Sequence, residues 1–214
     1  MSSTIFAQTK DPDTKRADAV IAQIKKDEEE LQLASFTPDD AWEIGSAIRN
    51  KFLEVQREAP SVTDEDVHNK RYGHVVYHKF PAGSGIVIRI ETFTGLTLFS
   101  ATAGPPVSKP GNERWIDGKI NIARANHRSS FGVGREWSRR DRDPAEMGFP
   151  FPEYAPYGGA FPIWIRGVTV APVAVIVVSG LSQDQDHQLI VDTLREYIGQ
   201  KTPPGASQSD YTSK

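Results

Sequence analysis

The strongest constraint on the fold lies in two consecutive segments near the C-terminus. Residues 173–179 (VAVIVVS) are apolar without alternation, so a strand formed there offers no face to water and must be covered on both sides. After Gly180 and Leu181, Ser182 and Gln185 make a capping box and Asp184 and Asp186 sit in the first helical turn. His187, Ile190, Val191, Leu194 and Ile198 then share one face. A doubly covered strand followed at once by an amphipathic helix calls for a layered α+β architecture with helices on both faces of the sheet.

The rest of the chain supplies the other layers. Over residues 13–33, Ala17, Val20, Ile21, Ile24 and Leu31 recur at helical spacing. A second helix is announced by Thr37 as N-cap, Pro38 at the first position and Asp39 and Asp40 in the first turn, with Ala41, Ile44, Ile48, Phe52 and Val55 as its buried stripe. Residues 58–70 read as a loop. Residues 74–80, 86–91 and 96–101 are rich in β-branched and aromatic residues, and Thr94-Gly95 makes a tight turn between the last two. Asn112 caps a helix to about residue 125, residues 135–148 look irregular and charged, and residues 160–166 and 173–179 complete a mostly antiparallel sheet of five strands. The expected organisation is an N-terminal extension with an amphipathic helix (1–33), one domain (34–198) and a disordered polar tail (199–214).

At 214 residues, with 38% hydrophobic and 25% charged residues, the chain is long enough for a proper core. No apolar run approaches the 18 or so residues that would span a bilayer, and the first ten residues lack a secretory pattern, so a cytoplasmic protein is expected, with no membrane partner. The absence of cysteine removes disulfides, thiolate nucleophiles and every cysteine-based metal site. Eight Lys/Arg against four Asp/Glu between Asn112 and Arg142 make a locally basic stretch that would attract an anion, or simply be a solvated face. Without an interleaved aromatic platform it does not read as a nucleic-acid surface.

No nucleophile elbow, P-loop or dinucleotide fingerprint is present. His74 and His78 would sit about 13 Å apart on a strand, too far for one metal ion. His187 falls on the buried stripe of the last helix, where it would either contact a ligand or pair with a backbone carbonyl. Trp115 and Lys119 share one helix face, as packing partners or as part of a site. The Gly158-Gly159 pair before a strand permits close approach of a ligand or another chain, or a simple bulge.

Four motifs in order carry a family resemblance. They are Phe36-Thr37; Trp115, Lys119 and Arg128-Ser129-Ser130-Phe131; Tyr157-Gly158-Gly159-Ala160-Phe161-Pro162-Ile163; and Val178-Ser179-Gly180-Leu181 with Asp186-His187. Over about residues 33–198 the chain resembles a family of small cytosolic bacterial and fungal proteins, related to the GlcG/HbpS-type haem-binding proteins often labelled haem-degrading. One budding-yeast member of that family is linked to the delivery of tail-anchored membrane proteins. The resemblance implies a profilin-like three-layer α/β/α sandwich that forms homo-oligomers.

The reading taken here is a pocket built from Trp115, Lys119, Arg128, Ser129, Ser130, Tyr157, Gly158, Gly159, Phe161 and His187, which the resemblance itself does not assign residue by residue. Trp115 and Tyr157 would wall it, and Lys119 and Arg128 would bind propionates or another small anionic ligand. His187 would contact the ligand or act as acid/base, and His127 and His187 are the candidate axial donors for haem. Two rival expectations stand beside haem binding: an oligomeric interaction protein serving a chaperone-type partner, with the same motifs at subunit seams, and an enzyme of specialised metabolism.

Overall fold

The computed structural model describes residues 13–58, 80, 83–105 and 112–201. In chain order the elements are α1 (Thr14–Glu30), α2 (Pro38–Glu58), β1 (Ile86–Thr92), β2 (Thr97–Ala103), α3 (Asn112–Asn126), α4 (Ser130–Arg139), β3 (Ala160–Ile163), β4 (Ala174–Ser179) and α5 (Gln183–Lys201). Among the described residues the sheet has four strands in the order β2-β1-β4-β3, every neighbouring pair antiparallel. The fifth expected strand, residues 74–80, lies outside the described residues except for Phe80. That ring is buried and stacks on Phe52 of α2 at 5.1 Å.

Strand β4 is central and buried along its whole length, as its unbroken apolar sequence requires. Its alternate side chains enter two separate cores. Ala174, Ile176 and Val178 join Ile44, Ile48 and Phe52 of α2 and Leu189, Ile190 and Leu194 of α5. Val175 and Val177 join Val87 and Ala160 against Ile116, Ile120 and Ala123 of α3 on the opposite face. Two helices, a sheet and a third helix therefore make three layers.

The helix starts follow local chemistry. Thr37 Oγ1 accepts the Asp40 N–H at 3.2 Å while the Asp40 carboxylate accepts the Thr37 N–H at 2.7 Å, a reciprocal cap. Ser182 and Gln185 exchange the same pair of contacts at the start of α5.

One expectation is corrected: the stretch from Arg135, read as irregular, begins inside helix α4. Ser129 caps that helix, its Oγ accepting the Gly132 N–H at 3.0 Å. The C-terminal helix also continues past residue 198, through Lys201. Helix α1 is tied to the body by buried groups. Asp27 accepts from Arg195 of α5 at 2.7 Å, Val20 and Ile24 pack on Phe131 of α4, and Leu33 pairs with the Trp164–Arg166 backbone beside β3.

Candidate functional site

Where β4 ends, the two faces of the sheet meet at a cleft of about 340 Å³. Asn112, Trp115 and Lys119 of α3 form one side, Tyr157 the second, Ser179, Gly180 and Leu181 the floor, and Gln183 and Asp186 of α5 the third side. Three segments far apart in the chain thus converge, and Trp115, Lys119 and Tyr157 are brought together as expected neighbours. Trp115 lies between two other rings, Phe151 at 4.8 Å and Tyr157 at 5.2 Å from centroid to centroid.

The floor holds an ion pair out of water. Lys119 and Asp186 are both buried, with Nζ 2.8 Å from Asp186 Oδ2. Lys119 Nζ also donates to the Val178 carbonyl at 3.1 Å and to Ser179 Oγ at 3.3 Å, which uses all three of its N–H groups. The second carboxylate oxygen, Asp186 Oδ1, accepts the Leu181 N–H at 3.1 Å. Burial pushes the Asp186 carboxyl up to about 6 in spite of the neighbouring ammonium. Burial, reinforced by Asp143, likewise raises the Tyr157 phenol to about 12.

The glycine pair works inside the chain. A Cβ on Gly158 would lie 1.9 Å from the Gln183 carbonyl oxygen, and one on Gly159, where φ is +124°, would lie 2.2 Å from that of Val178 and 2.7 Å from Lys119 Nζ. Only a bare backbone can settle this loop onto β4 and α5. Ser130 completes the fastening, its Oγ donating to the Tyr157 carbonyl at 2.5 Å and accepting the Ala160 N–H at 3.0 Å.

Other residues expected at the pocket sit elsewhere. Arg128 and Ser129 serve helix α1: Arg128 Nε donates to Glu28 at 2.9 Å and Nη1 to Glu136 at 2.8 Å, while the Ser129 N–H and hydroxyl both reach Glu28. Phe161 is core. His187 is 1% exposed, packed 4.9 Å from the Phe131 ring and 5.9 Å from Phe161, behind the glycine loop and outside the cleft lining. Both its ring nitrogens are buried without a hydrogen-bond partner among the described residues, and burial lowers its pKa to about 3. Packed between these rings, the imidazole does not line the cleft at which its acid/base and axial roles were expected.

His127 is exposed at the far end of α3, roughly 18 Å along the helix from Trp115. Its ring stands edge-on to Phe93 at 5.4 Å. It belongs to a different surface from the cleft.

Sequence reasoning missed Asp186, Ser179 and Phe151 as site residues. A signal for the first existed: Lys119 and Asp186 are opposite charges on the otherwise apolar faces of two separate helices. Such isolated charges are buried only when they find each other.

Comparison with known proteins agrees with this architecture. Residues 73–195 match the family described as haem degrading protein HbpS-like. A UPF0303 protein of Streptomyces coelicolor is 30% identical over 181 residues, covering 84% of this chain and 94% of that protein. One from Brucella canis is 31% identical over 181 residues, covering 84% and 88%. Among solved structures, the Ybr137w protein superposes with a TM-score of 0.65 at 26% identity, over 84% of this chain and 88% of that one. On the family match and these relatives, the chain belongs to the HbpS-like family.

Proposed function

We propose that this protein binds a small molecule in the cleft between α3, the glycine loop and the start of α5. One observation carries the reading: two aromatic rings and a fully buried ion pair, contributed by three distant segments, line a single opening of about 340 Å³. Chains retain buried charges beside a cavity where a function needs them, and this volume suits a compact ligand. The first test is native mass spectrometry of the protein as purified, with and without Trp115→Ala, alongside a thermal-shift screen of metabolites. A retained or stabilising ligand lost in the variant supports the reading. Equal retention in both, or no molecule that raises Tm, counts against it.

Haem is the ligand that the family description suggests, and the described residues fit it poorly at this cleft. No histidine lines the cleft among the described residues, and the Tyr157 phenol keeps its proton at neutral pH. Lys119 also has no free N–H for a propionate. Haemin titration is therefore expected to leave the Soret band unmoved, and a shift lost in Trp115→Ala would overturn this expectation.

A second reading, assembly into homo-oligomers or docking of a chaperone-type partner, is favoured by a separate observation. At the opposite end of the sheet the β1–β2 turn and the β3–β4 connection lie side by side, the Phe93 N–H donating to the Val173 carbonyl at 2.9 Å. There Leu96 is 65% and Val170 86% exposed. Light scattering of Val170→Asp should show a smaller particle than wild type if this end is a seam.

A further inference from the structure

Resting on the cleft reading, we infer that Glu28 of α1 is a positioning residue for the cleft. Through Ser129 and Ser130 at the start of α4, it sets where the Tyr157 ring stands against Trp115. The Glu28 carboxylate accepts the Ser129 N–H at 3.0 Å, the Ser129 hydroxyl at 2.6 Å and Arg128 Nε at 2.9 Å. An anion at that place also suits the positive end of the α4 dipole. Ser129 in turn caps α4 through the Gly132 N–H at 3.0 Å, so Glu28 holds the residue from which the helix begins. The next residue, Ser130, donates to the Tyr157 carbonyl at 2.5 Å and accepts the Ala160 N–H at 3.0 Å. Two consecutive serines thus link α1 to the wall of the cleft.

The body of α4 makes the link stiff. A Cβ on Gly134 would lie 1.9 Å from the Pro156 carbonyl oxygen, and the Trp137 ring meets Phe149 at 5.0 Å. The segment from Phe149 to Ala160 therefore lies against α4 at several points, and it is this segment that delivers Phe151 and Tyr157 to Trp115. Close-packed contacts of this kind pass a displacement on, and one of about 1 Å is enough to break a hydrogen bond. A shift of the first turn of α4 is then felt at Tyr157. Asp27, one residue before Glu28, provides an internal comparison. It joins α1 to Arg195 of α5 at 2.7 Å, so it fastens the same helix to a different element.

The test follows two NMR signals of the full-length protein with no ligand added: amide hydrogen exchange at Ala160, and the Trp115 indole N–H, assigned with Trp115→Phe. Exchange at Ala160 is read as a ratio to Ile176 in the middle of β4, which removes any general loss of stability. Glu28→Ala is expected to raise that ratio at least about tenfold and to move the Trp115 signal. Asp27→Asn, which loosens α1 from α5 and leaves the Ser129 contacts in place, should hold the ratio within about twofold. A ratio unchanged in folded Glu28→Ala would overturn the inference, as would an equal rise in Asp27→Asn. So would a raised ratio with an unmoved Trp115 signal, because the disturbance would then stop short of the cleft. If Glu28→Ala does not fold, Glu28→Gln decides: it keeps an oxygen for Ser129 but gives up the charge paired with Arg128. A rise of at least about threefold is then expected, and no rise overturns the inference. Whether the cleft holds a molecule at all is decided separately, by the retained-ligand measurement above.

Discussion

His187→Leu removes an imidazole whose two nitrogens are buried without partners and replaces it with a side chain suited to the Phe131 and Phe161 rings beside it. A buried, unsatisfied polar group costs about 1–3 kcal/mol, and the change of shape gives back up to about 1.5, so a net gain of about 1 kcal/mol is expected at pH 7. Acid enlarges the difference. Burial lowers the His187 pKa from 6.5 to about 3, so the unfolded chain takes up a proton that the folded chain refuses. The wild type therefore loses stability from this group as pH falls through 6.5, continuing toward 3 at about 1.4 kcal/mol per unit.

Between pH 7 and pH 5 that loss is about 2 kcal/mol, and the leucine variant escapes it, so the gap should widen from about 1 to about 3 kcal/mol. Asp186 works the other way. Its raised folded pKa adds stability as pH drops below about 6, but equally in both proteins, so it cancels from the comparison. Urea unfolding at the two pH values, with unchanged m, measures the gap. A variant less stable than wild type at pH 7 would mean the imidazole is hydrogen-bonded. A gap that stays constant or narrows in acid would mean it is not held neutral, and either result refutes the reasoning.

Lys119→Met should cost about 3–5 kcal/mol because it strands a buried carboxylate, and clearly less in an Asp186→Asn background; equal costs in both would deny the coupling. Gly134→Ala places a Cβ 1.9 Å from the Pro156 carbonyl oxygen, so about 1–3 kcal/mol of destabilisation is expected, with a shifted Trp115 indole signal as the 149–157 segment lifts from α4. Glu28→Ala strips Arg128 and Ser129 of a shared partner and should cost about 2–4 kcal/mol in urea unfolding. A loss below about 0.5 kcal/mol would instead make α1 a loosely held appendage.

Much of the fold could be read locally because it is decided locally. The unbroken apolar run of β4, the caps at Thr37 and Ser182 and the stripe of α2 each follow from residues within one or two turns of one another. Helix α4 escaped that reading for a physical reason. Gly132 and Gly134 lower its intrinsic propensity, yet each sits where a Cβ would meet another segment, the Glu28 carboxylate in one case and the Pro156 carbonyl in the other. Tertiary approach chose those residues against the helix. The site divides in the same way: Trp115 and Tyr157 could be named from sequence, but the roles of Arg128, Ser129 and His187 depend on what lies opposite them in space. Arg128 meets Glu28 a hundred residues away, and no spacing rule contains that information.

The residues that define the family resemblance separate into those that face the cleft and those that hold its walls, and the second group is the larger. Gly158 and Gly159 let the loop rest on two carbonyl oxygens, and Ser130 bridges its two ends. Lys119 joins α3 to the end of β4 and to α5 through a single ammonium. Because these contacts cross between layers, each fixes the width of the opening in which Trp115 and Tyr157 stand. A motif retained for such geometry says that the cleft has a set shape. The identity of what fills it is left to the side chains that line the opening, the Trp115 indole and the Gln183 amide among them. Relatives that keep the fastening residues but exchange those side chains would then share the fold and differ in ligand.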